Sequence, residues 1–275
     1  MCRSLPGRAV LALFALASAL AGRAASAQPF DLTQVGAGPR GDTANGEHEP
    51  ARLSSADGRY VVFDSSAPDL VADAVDVNGR PDVFLYDRVE DSITLVTHRA
   101  DDANRAVGGI AGEISADGRW LVYIGGSRDL VAGVVDRPPS NNTYLYDRTT
   151  NSSVLVSHEA GAPLAPAGNS NGIQLSADGR FVLYQSGAQT LVPGFVDHNF
   201  SGTPDVFLFD RDTGTNVLVS SAAGTSTETA NDRSDPVALS PNGAWILIAS
   251  AASDLVAGLA DGNGADDVYL YSRAS

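Results

Sequence analysis

The tetrapeptide Ser-Ala-Asp-Gly, followed by Arg and a bulky apolar run, returns through the chain at nearly fixed spacing. It stands at Ser55–Gly58, Ser115–Gly118 and Ser176–Gly179, with a looser fourth copy at Ser240-Pro241-Asn242-Gly243. The steps between the four glycines are 60, 61 and 64 residues. A period of this length means an array of like modules, each burying its apolar faces against its neighbours.

Each repeat carries three apolar runs. The first follows the Asp-Gly: Tyr60–Phe63, Trp120–Tyr123, Phe181–Tyr184 and Trp245–Ile248. The second is Val83–Tyr86, Tyr144–Tyr146, Val206–Phe209 and Val268–Tyr271. The third is Ile93–Val96, Val154–Val156 and Val217–Val219. These runs are short, β-branched and aromatic, and are bounded by Gly, Asp, Asn and Pro, which is the pattern of strands. A weaker strand precedes each tetrapeptide, and Asp-Gly supplies the tight turn between it and the first run. No long 3.6-residue period follows the N-terminal segment, so helix is nearly excluded.

The expected unit is therefore a four-stranded antiparallel sheet whose middle strands are apolar on both faces. Sheets covered on both faces stack radially around an axis, so the fold class is all-β, a four-bladed β-propeller. The two ends of the chain bear on closure. The fourth unit stops at Tyr271-Ser272-Arg273 without a third run, while Phe30-Asp31-Leu32-Thr33-Gln34-Val35 is a run with no unit of its own. Together the two ends supply 63 residues, within the repeat step. The N-terminal strand is expected to complete the last blade and close the ring, which also pairs otherwise open edges. An open array and a strand-swapped dimer are the alternatives; a monomer is preferred.

Residues 1–27 read as a cleavable leader. Arg3 and Arg8 precede the 13-residue stretch Ala9–Ala21, and Ala25-Ser26-Ala27 offers a small-residue cleavage site. Thirteen residues are too few to span a bilayer, and nothing later approaches that length. Residues 28–275 then form a single propeller domain, placed in the periplasm or secreted, with no membrane insertion. The one cysteine, Cys2, lies in the leader, so no disulfide supports the fold. The chain has a net charge of −15, and losing the three leader arginines makes it −18. Such a surface repels nucleic acid and anionic lipid.

The repeats resemble the TolB-type, WD-like β-propeller repeat family of exported bacterial proteins. The first unit shows the pattern in Asp69-Leu70-Val71, Asp76-Val77-Asn78-Gly79-Arg80-Pro81-Asp82-Val83-Phe84 and Tyr86-Asp87-Arg88. The resemblance covers nearly all of the chain after the leader and implies a propeller. It implies no single activity, since such propellers serve many roles, and the chain is too short for the extra N-terminal domain of TolB.

The best candidate site is the loop Asp76, Asn78, Asp82, repeated at the same spacing as Asp261, Asn263, Asp267 and in stretched form as Asp197, Asn199, Asp205. Alternating Asp and Asn oxygens around a Gly turn are how short loops wrap Ca²⁺. The same residues also cap hairpins through hydrogen bonds to backbone. The second unit reads Asp136 to Asn142 with Thr143 where the second Asp belongs, which speaks for caution. Asp87-Arg88, Asp147-Arg148 and Asp210-Arg211 are expected to form Asp–Arg pairs or turn caps. Gly168-Asn169-Ser170-Asn171-Gly172 matches a hydrolase nucleophile elbow in letters only, because it leads into a strand. His98 and His158 occupy equivalent positions and belong to the scaffold. The function expected is a non-catalytic binding scaffold for a protein or polysaccharide, with calcium as the one cofactor considered. The alternative is a propeller hydrolase or lyase with a metal in the central channel.

Overall fold

The computed structural model describes residue 46 and residues 53–76, 78–135, 140–168, 170–200 and 202–273. The leader, the N-terminal strand at 30–35 and the segment 136–139 lie outside the described residues. Among the described residues no helix is long and apolar enough to cross a membrane.

The chain builds antiparallel sheets in sequence order. The first sheet runs β1 (Leu53–Ser54), β2 (Tyr60–Ser65), β3 (Asp82–Asp87), β4 (Ser92–Leu95), each strand paired with the next. After it comes a hairpin of β5 (His98–Arg99) and β6 (Asp102–Ala106). The second sheet is β7 (Ile110–Ile114), β8 (Trp120–Gly125), β9 (Asn142–Asp147) and β10 (Ser152–Leu155), followed by the hairpin β11 (His158–Glu159) and β12 (Ala162–Pro166). The third is β13 (Ser170–Leu175), β14 (Phe181–Ser186), β15 (Asp205–Asp210) and β16 (Thr215–Leu218). The last has three described strands, β17 (Ser234–Leu239), β18 (Trp245–Ser250) and β19 (Asp267–Ser272). The described helix is one 3₁₀ turn, Arg128–Leu130, capped by Ser127 Oγ accepting from Asp129 N at 3.2 Å.

The two hairpins are additional to the four-stranded unit expected from the sequence. In the third unit the corresponding chain makes only single bridges, Ser221 with Thr229 and Val196 with Glu228.

Successive residues of a strand point to opposite faces, so the continuous apolar runs feed two interfaces at once. Tyr60, Val62, Val83 and Leu85 of the first sheet pack against Leu121, Tyr123, Tyr144 and Tyr146 of the second. The other face of the second, with Val122, Leu145 and Val156, packs on Val182, Tyr184, Phe207 and Phe209 of the third. Phe181, Leu183, Val206 and Leu208 then meet Ile246 and Ile248 of the last. Stacked aromatic pairs run through these faces, Tyr123 on Tyr144 with centroids 5.3 Å apart and Tyr184 on Phe207 at 5.9 Å.

The last sheet departs from this rule. Trp245, Val268 and Leu270 point away from the third sheet and are 48%, 67% and 63% exposed. Their equivalents Val83, Leu85, Val206 and Leu208 are buried. At the other end of the array nothing lies within 4 Å of where a Cβ on Gly58 would sit. The ring closure expected from the sequence is therefore not observed among the described residues: the outer face of the last sheet stands open, whereas Phe63, Phe84 and Tyr86 on the outer face of the first are buried.

Candidate functional site

Each Ser-Ala-Asp-Gly is a closed hydrogen-bond unit. Ser55 Oγ donates to Asp57 Oδ1 at 2.6 Å and accepts from Tyr60 N at 3.0 Å, while Arg59 N donates to Asp57 Oδ1 at 3.0 Å. The pattern repeats at Ser115–Trp120 and Ser176–Phe181. Asn242 stands in for the Asp in the last copy, accepting from Ser240 Oγ and Ala244 N. The glycines sit at φ of +66 to +69°, where L side chains are strained.

The arginine after the turn forms a fork on the end of the second long strand. Arg59 Nε and Nη2 donate to the two oxygens of Asp87 at 2.9 and 2.7 Å. Arg119 binds Asp147, and Arg180 binds Asp210, in the same way. The Arg59 guanidinium holds the Asp87 carboxyl down at about 2. Asp87 is thus both an Asp–Arg partner and a turn cap, accepting also from Val89 N at 2.9 Å; its Arg comes from the neighbouring strand and not from the adjacent Arg88. Arg88 Nε instead donates to Gly58 O at 3.2 Å, as Arg148 does to Gly118 O at 3.0 Å. Arg148 lies over the Tyr60 ring at 4.2 Å, Arg211 over Trp120 at 4.1 Å and Arg273 over Phe181 at 4.1 Å. Each of these arginines thus ties one sheet to the sheet before it.

In the acidic loops the oxygens are turned onto their own chain. Asp76 Oδ1 accepts from Asn78 N at 2.9 Å and Asn78 Oδ1 from Arg80 N at 2.7 Å. Asp197 Oδ1 accepts from Asn199 N at 3.1 Å, and Asp197 Oδ2 from Gln189 Nε2 at 2.6 Å. Asp261 Oδ1 accepts from Asn263 N and Gly264 N, and Asn263 Oδ1 from Ala265 N. Asp261, Asn263 and Asp267 line one surface cleft of about 420 Å³.

The third residue of each loop opens the second long strand. Asp82 is 1% exposed and accepts from Thr97 Oγ1 at 2.8 Å and from Gly108 N, at the border of the second sheet, at 2.7 Å. Asn142, and not Thr143 as the spacing of the sequence suggested, holds the same place in the second sheet and accepts from Ser157 Oγ at 3.3 Å and Gly168 N at 3.1 Å. Asp205 accepts from Ser220 Oγ at 3.1 Å and from Asn199 Nδ2 at 3.4 Å. Burial raises Asp82, and pushes Asp205 up to about 7. Asn199 Oδ1 is buried without a hydrogen-bond partner.

As a calcium donor set these loops fit poorly. Their oxygens mostly accept N–H and O–H groups, and among the described residues no three His, Cys, Asp or Glu side chains are grouped to hold a metal ion. The geometry is that of turn caps. A melt in millimolar calcium and again in chelator is expected to differ by less than about 2 °C, since a specific site filled far above its dissociation constant would shift it more.

His98 and His158 belong to the scaffold. His98 Nδ1 faces Arg99 O at 2.7 Å and Nε2 faces Asn151 Oδ1 at 3.2 Å, with the ring edge-on to Tyr146 of the next sheet. His158 repeats the backbone contact, with Glu159 O at 2.9 Å. Ser170 begins β13 and is 2% exposed, so this serine opens a strand and does not sit on an elbow.

Two features escaped the sequence reading. His198 Nε2 and Glu228 Oε2 meet at 2.9 Å between loops of the third unit. A cleft of about 560 Å³ lies among the first strands of consecutive sheets, lined by Glu113, Asn141, Asn171 and Gln174. Burial raises the Glu113 carboxyl, which accepts from Leu175 N at 2.7 Å. Gln174 makes the equivalent tie one sheet later, accepting from Leu239 N at 2.7 Å and donating to Val237 O at 3.0 Å.

No family model matches the chain, and no curated protein matches it. Solved structures similar to it include TolB from Acinetobacter baumannii, at 18% identity over 84% of this chain and 44% of that one, TM-score 0.40. The β-propeller domain of the Trilobed protease from Pyrococcus furiosus matches at 11% identity over 82% and 55%, TM-score 0.46. Oligogalacturonate lyase from Vibrio parahaemolyticus matches at 11% identity over 74% and 46%, TM-score 0.41. The chain spans about half the length of these structures.

Proposed function

We propose that the chain is an exported, non-catalytic β-propeller scaffold that binds a protein or polysaccharide partner through the loops at the sheet ends. Its four sheets are the blades. The observation that carries this reading is the exchange of Asp for Asn at the buried strand start. Asn142 accepts a sheet-border N–H and a hydroxyl where Asp82 does the same. A group needed for proton transfer does not tolerate that exchange, because an amide does not ionise; a hydrogen-bond acceptor does. The remaining repeated acids are held by Ser, Arg and backbone N–H groups. Residues that break the repeat, such as Arg105 and Glu228, sit on hairpins and loops that vary from unit to unit.

The enzyme alternative is a propeller hydrolase or lyase with a metal in the central channel, and Glu113, which accepts from Leu175 N in the cleft among the first strands, is the acid it would draw on. Glu113→Gln tests it. The chain and this variant are incubated with chromogenic peptide, ester and uronide-glycoside substrates. The scaffold reading expects no turnover from either. Turnover by the parent that Glu113→Gln abolishes would establish the enzyme instead.

A further inference from the structure

His98 joins the hairpin β5–β6 to the second sheet, and both of its ring nitrogens face oxygens. Nδ1 lies 2.7 Å from Arg99 O and Nε2 lies 3.2 Å from Asn151 Oδ1, in the turn between β9 and β10. A carbonyl oxygen only accepts, so Nδ1 carries a proton. A neutral ring then turns a lone pair at Nε2 towards an amide oxygen that also only accepts. Turning the Asn151 amide over would supply a donor. Its oxygen is held, however, by the Tyr146 hydroxyl, which donates to Oδ1 at 2.7 Å. Tyr146 is 1% exposed, and burial pushes its hydroxyl up to about 12, so it stays a donor throughout the range in which imidazoles titrate. A turned amide would leave that buried hydroxyl without its acceptor. His98 protonated on both nitrogens satisfies all three groups at once.

The third sheet shows that the trio is a unit. His158 keeps the backbone contact, with Glu159 O at 2.9 Å, and lies edge-on to Phe209. Phe209 stands where the second sheet has Tyr146, and Gly214 where it has Asn151. The hydroxyl and the amide are lost together. We propose that His98, Asn151 and Tyr146 form a proton-operated latch between the first hairpin and the second sheet, closed when His98 is charged and released when it is neutral.

The charges around His98 are matched among themselves. Arg99, next in the chain, binds Asp101 at 2.8 Å and lies 3.6 Å from Asp129 of the 3₁₀ turn, which also carries Arg128. β6 brings Asp102, which caps Asn104 N, and Arg105. Beyond Tyr146, Asp147 is forked by Arg119, and Arg148 donates to Gly118 O. Among the described residues, the oxygens that His98 faces are Arg99 O and Asn151 Oδ1. The charged ring gains a partner on folding. Its contribution is therefore full in acid and is lost as the pH rises through the imidazole range.

Thermal melts of the chain, of Asn151→Gly and of Asn151→Asp, each at pH 5 and pH 8, test the latch. Asn151 sits at φ +49°, a conformation that glycine adopts freely and that Asp91 adopts at +47° in the first sheet, so both changes suit the turn. The lead of the parent over Asn151→Gly is expected to be about 2–4 °C larger at pH 5 than at pH 8. Asn151→Asp, whose carboxylate has no donor to turn towards the ring, is expected to show at least the same acid-side gain. Nitrogen NMR is expected to find His98 protonated on both ring nitrogens at pH 5 and on Nδ1 alone at pH 8. A lead over Asn151→Gly that is equal at the two pH values overturns the proposal. So does a neutral His98 that carries its proton on Nε2.

Discussion

Gly118→Ala is expected to destabilise the fold by about 2–4 kcal/mol, whereas Gly58→Ala costs about 1 kcal/mol. Both glycines sit in the left-handed region, at φ +69° and +67°, so both substitutions carry the backbone penalty. Only at Gly118 does the new methyl meet a neighbour, the Tyr60 ring, which lies between sheets and is 5% exposed. Tyr60 has little room to retreat, with Arg148 at 4.2 Å over its ring. Gly179→Ala and Gly243→Ala are expected to behave like Gly118→Ala, because Trp120 and Phe181 fill the same space. In a domain of this size 1 kcal/mol moves the melting temperature by about 2–4 °C. The three internal variants should therefore melt about 4–16 °C below the parent, and Gly58→Ala about 2–4 °C below. Equal losses at all four positions would show that the glycines serve turn geometry alone.

Asp205→Asn is expected to stabilise the protein at pH 8 and to leave it unimproved near pH 4. Burial pushes the Asp205 carboxyl up to about 7. Below its unfolded value, near 3.8, the group is protonated in both states and costs nothing. As the pH rises from about 4 towards 7 the unfolded chain releases its proton while the folded chain keeps it. Stability falls across that window and is flat above it. A shift of this size sets an upper bound of about 4 kcal/mol, and relaxation with water entry leaves about 1–3 kcal/mol to recover. An amide escapes the loss because it does not ionise. It also finds a partner in place, since Asn199 Oδ1 is buried and unpaired and Asn199 already lies 3.4 Å from Asp205. Thermal melts of both proteins from pH 4 to 8 give the comparison; a variant less stable at pH 8 would mean that the charge itself is needed.

The strands were legible because their evidence is local. Each apolar run must hide both faces, and the structure places β2, β8, β14 and β18 on the runs after the Asp-Gly. The hairpins β5–β6 and β11–β12 were not legible, because β6 is exposed along Asp102–Arg105 and shows no apolar alternation. The forks Arg59–Asp87, Arg119–Asp147 and Arg180–Asp210 join residues 28 to 30 apart, a distance at which no local pattern speaks. A signal for them did exist in the repeats. The fourth unit has Ala244 for the Arg and Ser272 for the Asp, losing both partners together. The acidic loops read equally well as ion cages or as caps. Residue types and spacing are the same for both; only the direction of the oxygens, towards backbone N–H groups, separates them.

The polar residues of the repeat are hydrogen-bond fixtures of the scaffold, and Asn142→Asp tests this most directly. The Asn142 amide donates to Ser140 O at 3.0 Å while its oxygen accepts from Gly168 N and Ser157 Oγ. A carboxylate there is buried and faces Ser140 O; a protonated carboxyl restores the donor. The variant is expected to melt below the parent at pH 8, by about 1–3 kcal/mol in stability, and to recover towards pH 4. A melting temperature equal to that of the parent at pH 8 would contradict the account.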